Sequence, residues 1–248
     1  MKNSEFKRIK EKITTIDSKR WWGDDYDVRF YLVNQLHKIK NKTILDIGGG
    51  IGIISSELDK NNFRINLDYS FDDLKKCKNL VDDQIETICA SMTHLPFTDN
   101  AFQHVICANI LEIAKSLDID LDNIVHNNSV NSFPNVDLVL SESNRVMTTN
   151  GILFITTPNN AYFQGNKMSY YELKNSLGKI FSDFTLWFYN SFPRLNKKNR
   201  KLNLANIVPK FLGKVINDES IFKIMLKPDK GIKKSSVWFY VEAVKNND

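Results

Sequence analysis

Cysteine is scarce in this chain. Its 248 residues hold three, Cys77, Cys89 and Cys107, and none are in C-x-x-C spacing. An odd and scattered set argues against a disulfide framework or a cysteine zinc site, and favours a reducing cytoplasm. The four histidines, His37, His94, His104 and His126, show no metal-ligand spacing either. No apolar run reaches the roughly 18 residues that a transmembrane helix needs. The first twenty residues carry Lys2, Lys7, Arg8, Lys10, Lys12, Lys19 and Arg20 without a continuous apolar block, which is not the pattern of a secretory signal. No internal repeat or long low-complexity tract stands out. Arginine is sparse beside lysine, 7 against 27, whereas dedicated phosphate recognition favours the planar fork of arginine.

What is present is enough for a core. Hydrophobic residues make up 42% of the chain, which excludes a wholly disordered polymer and fits one large domain, or one domain with an elaborated end. The net charge of +5 is unevenly spread. Residues 194–234 hold twelve Lys/Arg and three Asp/Glu, a local +9, so the remainder sums to 5 − 9 = −4. Such a stretch suits phosphates, anionic lipid or an acidic substrate, but a solvated lysine-rich face accounts for it equally well.

Residues 4–20 have helical spacing, with Ser4 as N-cap and Phe6, Ile9, Ile13 and Ile16 on one face. A second helix is expected from about Asp25 to His37. The pattern then changes. Short apolar runs at Thr43–Ile47, Phe63–Leu67, Gln84–Cys89, Gln103–Ala108 and Gly151–Thr157 read as strands. Helical segments fall between them: Ile53–Leu58, Ser70 to about Lys78, and Asn135–Met147. Alternation of this kind implies a parallel, doubly wound sheet with helices on both faces. Ligands of such sheets sit beyond the carboxyl ends of the strands.

The strongest motif lies at the first of these ends: Ile44-Leu45-Asp46-Ile47-Gly48-Gly49-Gly50-Ile51-Gly52. Glycines there let a ligand approach the backbone, and the helix that follows would offer free N–H groups to an anion. A dinucleotide fingerprint requires G-x-G-x-x-G, but its last glycine would be residue 53, an isoleucine. NAD is therefore disfavoured. Asp68 closes the second strand, eighteen residues after Gly50, where a carboxylate can accept from ribose hydroxyls.

Together these segments resemble a class I S-adenosylmethionine-dependent methyltransferase. ILDIGGGIG (44–52), INLDYS (65–70), LPFTDNAFQHVICANILE (95–112) and ESNRVMTTNGILFITTPN (142–159) match in the family's order. The resemblance implies an α/β, Rossmann-like, mostly parallel seven-stranded sheet, with S-adenosylmethionine as cofactor. Phe184–Tyr189 and Val237–Val244 are the candidates for its final antiparallel hairpin. It also implies that Asp46, Gly48, Gly50 and Gly52 hold the methionine part of the cofactor. Asp68 would take the ribose, and Tyr69 would lie beside the adenine. Ser91 and Met92 occupy the adenine-amino segment, where the family usually has an aspartate. Asn109 and Ile110 would lie near the sulfonium. Glu112-Ile113 replaces the family's frequent Glu-His, and residues 116–134 read as an insertion, a surface loop or a substrate-side lid.

Three units are expected: N-terminal helices over residues 1–40, a methyltransferase core over 41–193, and a basic C-terminal segment with the last strand over 194–248. The sulfonium is already activated, so alignment and water exclusion carry most of the acceleration. Glu112, His126 and Tyr162 are the candidates for a general base, should the acceptor need one, while His94 and His104 read as structural. Arg29 could pair with the cofactor carboxylate or lie on a helix surface. Val208, Phe211, Leu212 and Val215 form a helical stripe, read as a cap over the substrate pocket or as a peripheral membrane contact. The leading expectation is methyl transfer to a small-molecule or lipid-like acceptor. The alternatives are an RNA or protein methyltransferase using the basic tail, and a non-catalytic cofactor-binding partner subunit.

Overall fold

A computed structural model of the chain describes residues 28–122, 133–159, 167–189, 226–228 and 238–246, with Arg8, Ile9, Glu11, Lys12 and Thr15 from helical positions near the N-terminus. The strands are β1 (Thr43–Ile47), β2 (Phe63–Asp68), β3 (Glu86–Cys89), β4 (Phe102–Ala108), β5 (Met147–Pro158), β6 (Asp183–Tyr189), β7 (Leu226–Pro228) and β8 (Trp238–Val244). They form one sheet in the order β3-β2-β1-β4-β5-β8-β6-β7. The first five are parallel neighbours, and β8 runs antiparallel between β5 and β6. The seven expected strands are therefore present. The three-residue β7 pairs with β6 as an eighth strand at the edge.

Among the described residues the helices that accompany the strands are α1 (Val28–Leu36), α2 (Ile53–Ser56), α3 (Phe71–Lys76), α4 (Leu111–Asp122), α5 (Pro134–Val146) and α6 (Tyr170–Gly178). α3 starts at Ser70, whose side chain accepts from the Asp73 amide, and passes into a π-helical turn at Cys77–Val81. The strands bury both sides, so β1 sends Leu45 and Ile47 to one core and Ile44 to the other. The first core packs Val136, Val139 and Leu140 of α5 with Leu173 and Leu177 of α6. The second packs Val28, Leu32 and Leu36 of α1 with Ile54, Phe154 and Tyr240. Near the N-terminus Arg8 pairs with Glu57, and Lys12 Nζ donates to Ser56 Oγ at 2.9 Å.

Two boundaries differ from expectation. Helix α4 continues through Asp122 and α5 begins at Pro134, so the residue 116–134 insertion starts as helix, and residues 123–132 lie outside the described part. Strand β5 starts at Met147, ahead of Gly151. It holds Asn150 at φ 61, while Lys245 Nζ donates to the carbonyl of Met147 at 2.8 Å.

The segment after β3 is fastened to α5. Arg145 donates to the carbonyls of Phe97 and Leu95 and to Asp99, and Glu142 accepts from the Leu95 amide at 2.7 Å. That clamp links two of the matching sequence segments and fixes the entry to β4.

Candidate functional site

The glycine loop crosses the carboxyl ends of β1 and β2, and its shape is set by steric demand. Gly48, Gly50 and Gly52 have φ of 66°, 54° and 73°, a region that side chains with a Cβ rarely adopt. At Gly48 a Cβ would sit 2.4 Å from Ile110 Cγ2, so Ile110, itself buried, forms the wall behind the loop. The loop's N–H groups are spent inside the fold. Gly48 and Gly49 donate to the carbonyl of Leu67 at 2.7 and 3.3 Å, Gly50 to Asp68 Oδ2 at 2.8 Å, and Gly52 to the carbonyl of Gly49 at 2.9 Å. The sequence expectation placed the free N–H groups and the positive end on the helix that follows the loop. The glycines are tied to β2, and α2 has only four residues, too short for an appreciable end dipole.

Beneath the loop lies a buried polar floor. Asp46 is 1% exposed, and its Oδ2 accepts from Ser55 Oγ at 2.8 Å, while Oδ1 has no partner. Burial pushes its carboxyl up from 3.8 to about 7, the Ser55 hydrogen bond opposes that rise, and the charge of Asp68 adds to it. Asn66 stands beside Asp46 in the β1–β2 register. A Cβ on Gly49 would meet Asn66 Oδ1 at 2.2 Å and Asp46 Oδ2 at 2.7 Å. Contact with this floor therefore requires glycine at position 49.

A cavity of about 190 Å³ opens over the loop, lined by Arg29, Asp46, Gly48–Gly50, Ile51, Ile53, Ile54, Ala108 and Asn109. Arg29 is 8% exposed, so it is a buried cavity residue and not a helix-surface arginine. Asn109 sits at φ 58, its amide donating to the carbonyl of Thr156 at 2.8 Å and its Oδ1 accepting from Thr156 Oγ1 at 3.0 Å. Asp68 accepts one backbone N–H on each oxygen, from Gly50 and from Ser70, both at 2.8 Å. Each oxygen keeps a lone pair for a ligand hydroxyl. Tyr69 is 84% exposed next to it, leaving its ring open to a flat partner.

The remaining expected residues divide. Ser91 bonds to Thr93, through Oγ1 at 2.8 Å and the amide at 3.2 Å, and Met92 packs against the core beside it. Glu112 accepts from Thr157 Oγ1 at 3.3 Å. Burial raises its carboxyl, and the charges of Lys167 and Arg29 oppose the rise. Glu112 and the cavity therefore share the field of Arg29. His104 is half-buried beside Phe154, and its ring is pushed down to about 4 mainly by desolvation. His94 accepts or donates at Nδ1 to Thr93 Oγ1 at 3.0 Å. His126, Tyr162, Trp21, Trp22, Tyr26 and the 208–215 stripe lie outside the described residues.

Sequence reasoning missed Asn66. A polar side chain at the centre of an apolar strand, in register with Asp46 and two residues before Asp68, was the signal available. Among the described residues no group of His, Cys, Asp and Glu could hold a metal ion, and no helix is long and apolar enough to cross a membrane. The donors and shape fit a nucleoside with an aminoacyl tail. Asp68 suits a ribose, Tyr69 a base, and the cavity ringed by Arg29 and the glycines a carboxylate-bearing chain.

Residues 45–155 match the family described as a methyltransferase domain. An uncharacterized protein of Methanocaldococcus jannaschii is 41% identical over 80 residues, 31% of this chain, and the matched stretch spans only 33% of that relative's length. A Thermotoga maritima structure, described as a SAM-dependent methyltransferase and possible histamine N-methyltransferase, superposes with TM-score 0.55 at 13% identity over 98% of this chain and 97% of its own. Phosphoethanolamine N-methyltransferase 2 of Haemonchus contortus, solved in complex with S-adenosyl-L-methionine, gives TM-score 0.56 at 17% identity over 96% of this chain and 56% of its own.

Proposed function

Since residues 45–155 match a methyltransferase-domain family, we propose that the protein is an S-adenosylmethionine-dependent enzyme that methylates a small-molecule or lipid-like acceptor by in-line displacement. The observation that carries this reading is the positive-φ glycine loop, which lines the cavity on one side and is tied to Asp68 through the Gly50 N–H on the other. S-adenosylmethionine, when bound, supplies a methyl group already activated by the sulfonium.

The chain's own residues bind and orient. Asp68 takes the ribose hydroxyls and Tyr69 flanks the adenine, with Ser91 and Met92 at its far side. Arg29 pairs with the aminoacyl carboxylate, where low exposure strengthens a charge-assisted bond. Asp46, Gly48, Gly50 and Gly52 shape the methionine pocket, and Asn109 and Ile110 close it at the end of β4. Glu112 is the described group able to hold an acceptor proton at its carboxylate, because burial raises its affinity for one. The bonds of Ser91 to Thr93 give that position a local structural task, so a serine suffices there without supplying the charge of an aspartate.

The test supplies methyl-labelled cofactor together with pooled amines, phenols and lipid extracts, and in parallel with RNA and with protein. Label appearing in the small-molecule or organic-extractable fraction is the expected result. Label confined to RNA or protein would overturn the acceptor class, and cofactor binding without any transfer would favour a partner subunit.

A further inference from the structure

We infer that Asn66 is a positioning residue for cofactor capture, holding the carbonyl of Gly50 so that Asp68 is aimed at the ribose. The inference rests on the reading of Asp68 as the ribose acid and names a second residue on which that role depends.

The geometry is specific. Asn66 and Asp68 alternate on β2, so their side chains leave the same face of the strand. Asp68 Oδ2 accepts from the Gly50 N–H at 2.8 Å, and Asn66 Nδ2 donates to the Gly50 carbonyl at 2.8 Å. Both ends of one residue are thus gripped by a single strand. Gly50 needs this grip because it lies at φ 54 in the middle of a glycine run, where the backbone has many competing conformations. Without the amide, the Gly50 carbonyl loses its partner and the loop can rotate. The N–H that fixes Asp68 rotates with it.

Asn66 is fully buried, and its Oδ1 lacks a partner. Burying an unpaired amide oxygen costs stability, so a residue chosen for packing alone would be apolar, like Ile65 and Leu67 on either side. The groups around the amide set the conditions of the test. Asp46 faces it from β1, Cys77 from the π turn, and Asp68 and Arg64 share its strand, with Asp82 paired to Arg64 at 2.8 Å. Cys107 on β4 stands close enough to Asp46 to feel its charge.

A double-mutant cycle on the full chain tests this, with S-adenosylhomocysteine affinity read by calorimetry. It compares wild type, Asn66→Leu, Asp68→Asn and the double variant, with melting temperatures in parallel. Asn66→Leu should weaken binding about tenfold, the scale of one bond to a group that orders a binding site. The double variant should lose clearly less than the product of the single losses, because both act through the one residue, Gly50. Losses that multiply, or unchanged affinity in a folded Asn66→Leu, would overturn the inference. A harmless Asp68→Asn would instead refute the ribose assignment, which keeps the two failures apart.

Asn66→Asp is the second variant and serves if Asn66→Leu does not fold. Its carboxyl can donate to the Gly50 carbonyl only when protonated. Relative to wild type at each pH, its affinity should recover as pH falls from about 8.5 to about 5.5. A deficit independent of pH would contradict the donor role.

Discussion

Leu45 and Ile47 point from β1 into a core of Val139, Leu140, Leu173 and Phe239, while Ile44 and Asp46 point the other way, toward α1 and the four-residue α2. The first face is mostly apolar and is covered by α4, α5 and α6, with Ser143 and Ser176 as buried polar exceptions. The second carries Asp46, Ser55, Asn66 and Arg64, all buried, with acceptor oxygens of Asp46 and Asn66 left without partners. A single strand thus serves packing on one side and ligand geometry on the other. The polar side is the costlier to build, and it lies directly under the loop that shapes the cavity. Stability and function are therefore separable by face, and substitutions can be chosen to break one without the other.

The largest effect should come from Gly48→Val. A β-branched side chain at φ 66 meets Ile110 within 2.4 Å. Cofactor binding should fall below detection in calorimetry while far-UV circular dichroism still reports the folded sheet. On the opposite face, Leu140→Ala removes a fully buried side chain from α5. It should cost about 2–5 kcal/mol in chemical denaturation and leave the affinity of the folded fraction for S-adenosylhomocysteine unchanged. A large loss of affinity there would mean that the faces are coupled.

Asp68→Ala should weaken the cofactor by roughly 1.5–3 kcal/mol, the scale for hydrogen bonds to a charged group, measured by the same titration. Asp46 offers a subtler handle. Burial raises its carboxyl from 3.8 to about 7, so between those values the folded chain keeps a proton that the unfolded chain releases. Stability of the ligand-free protein should therefore fall as pH rises through that window, by roughly 1.4 kcal/mol per pH unit from this group. Asp46→Asn should flatten that slope in melting curves collected across the window. Smallest of all, Ser70→Ala deletes the cap of α3 and should cost about 1 kcal/mol in thermal unfolding.

Much of the architecture was legible because its signals are local. The apolar runs of β1, β2, β4 and β5 and the Ser70 cap each announce themselves over a few residues, while the terminal hairpin at Phe184–Tyr189 and Val237–Val244 was expected from the family resemblance. Asp68 was legible from its distance to the glycines. The floor was not, since Asn66 acquires meaning only once the β1–β2 register sets it beside Asp46. The burial of Arg29 likewise depends on how α1 docks across the sheet, which helical spacing alone does not determine. Sequence also did not reveal that Leu67 and Asp68 take the amide protons of Gly48, Gly49 and Gly50. Residues 116–134 read as an insertion because Asp118, Asp120 and Asp122 resemble loop residues, yet helix α4 passes through those three.

The central claim is that this cavity takes S-adenosylmethionine and does not take a dinucleotide. Calorimetric titration of the full chain with S-adenosylmethionine, and separately with NAD, tests it most directly. The account predicts saturable one-to-one binding of S-adenosylmethionine and no heat from NAD beyond dilution. Saturable NAD binding with no response to S-adenosylmethionine would contradict it.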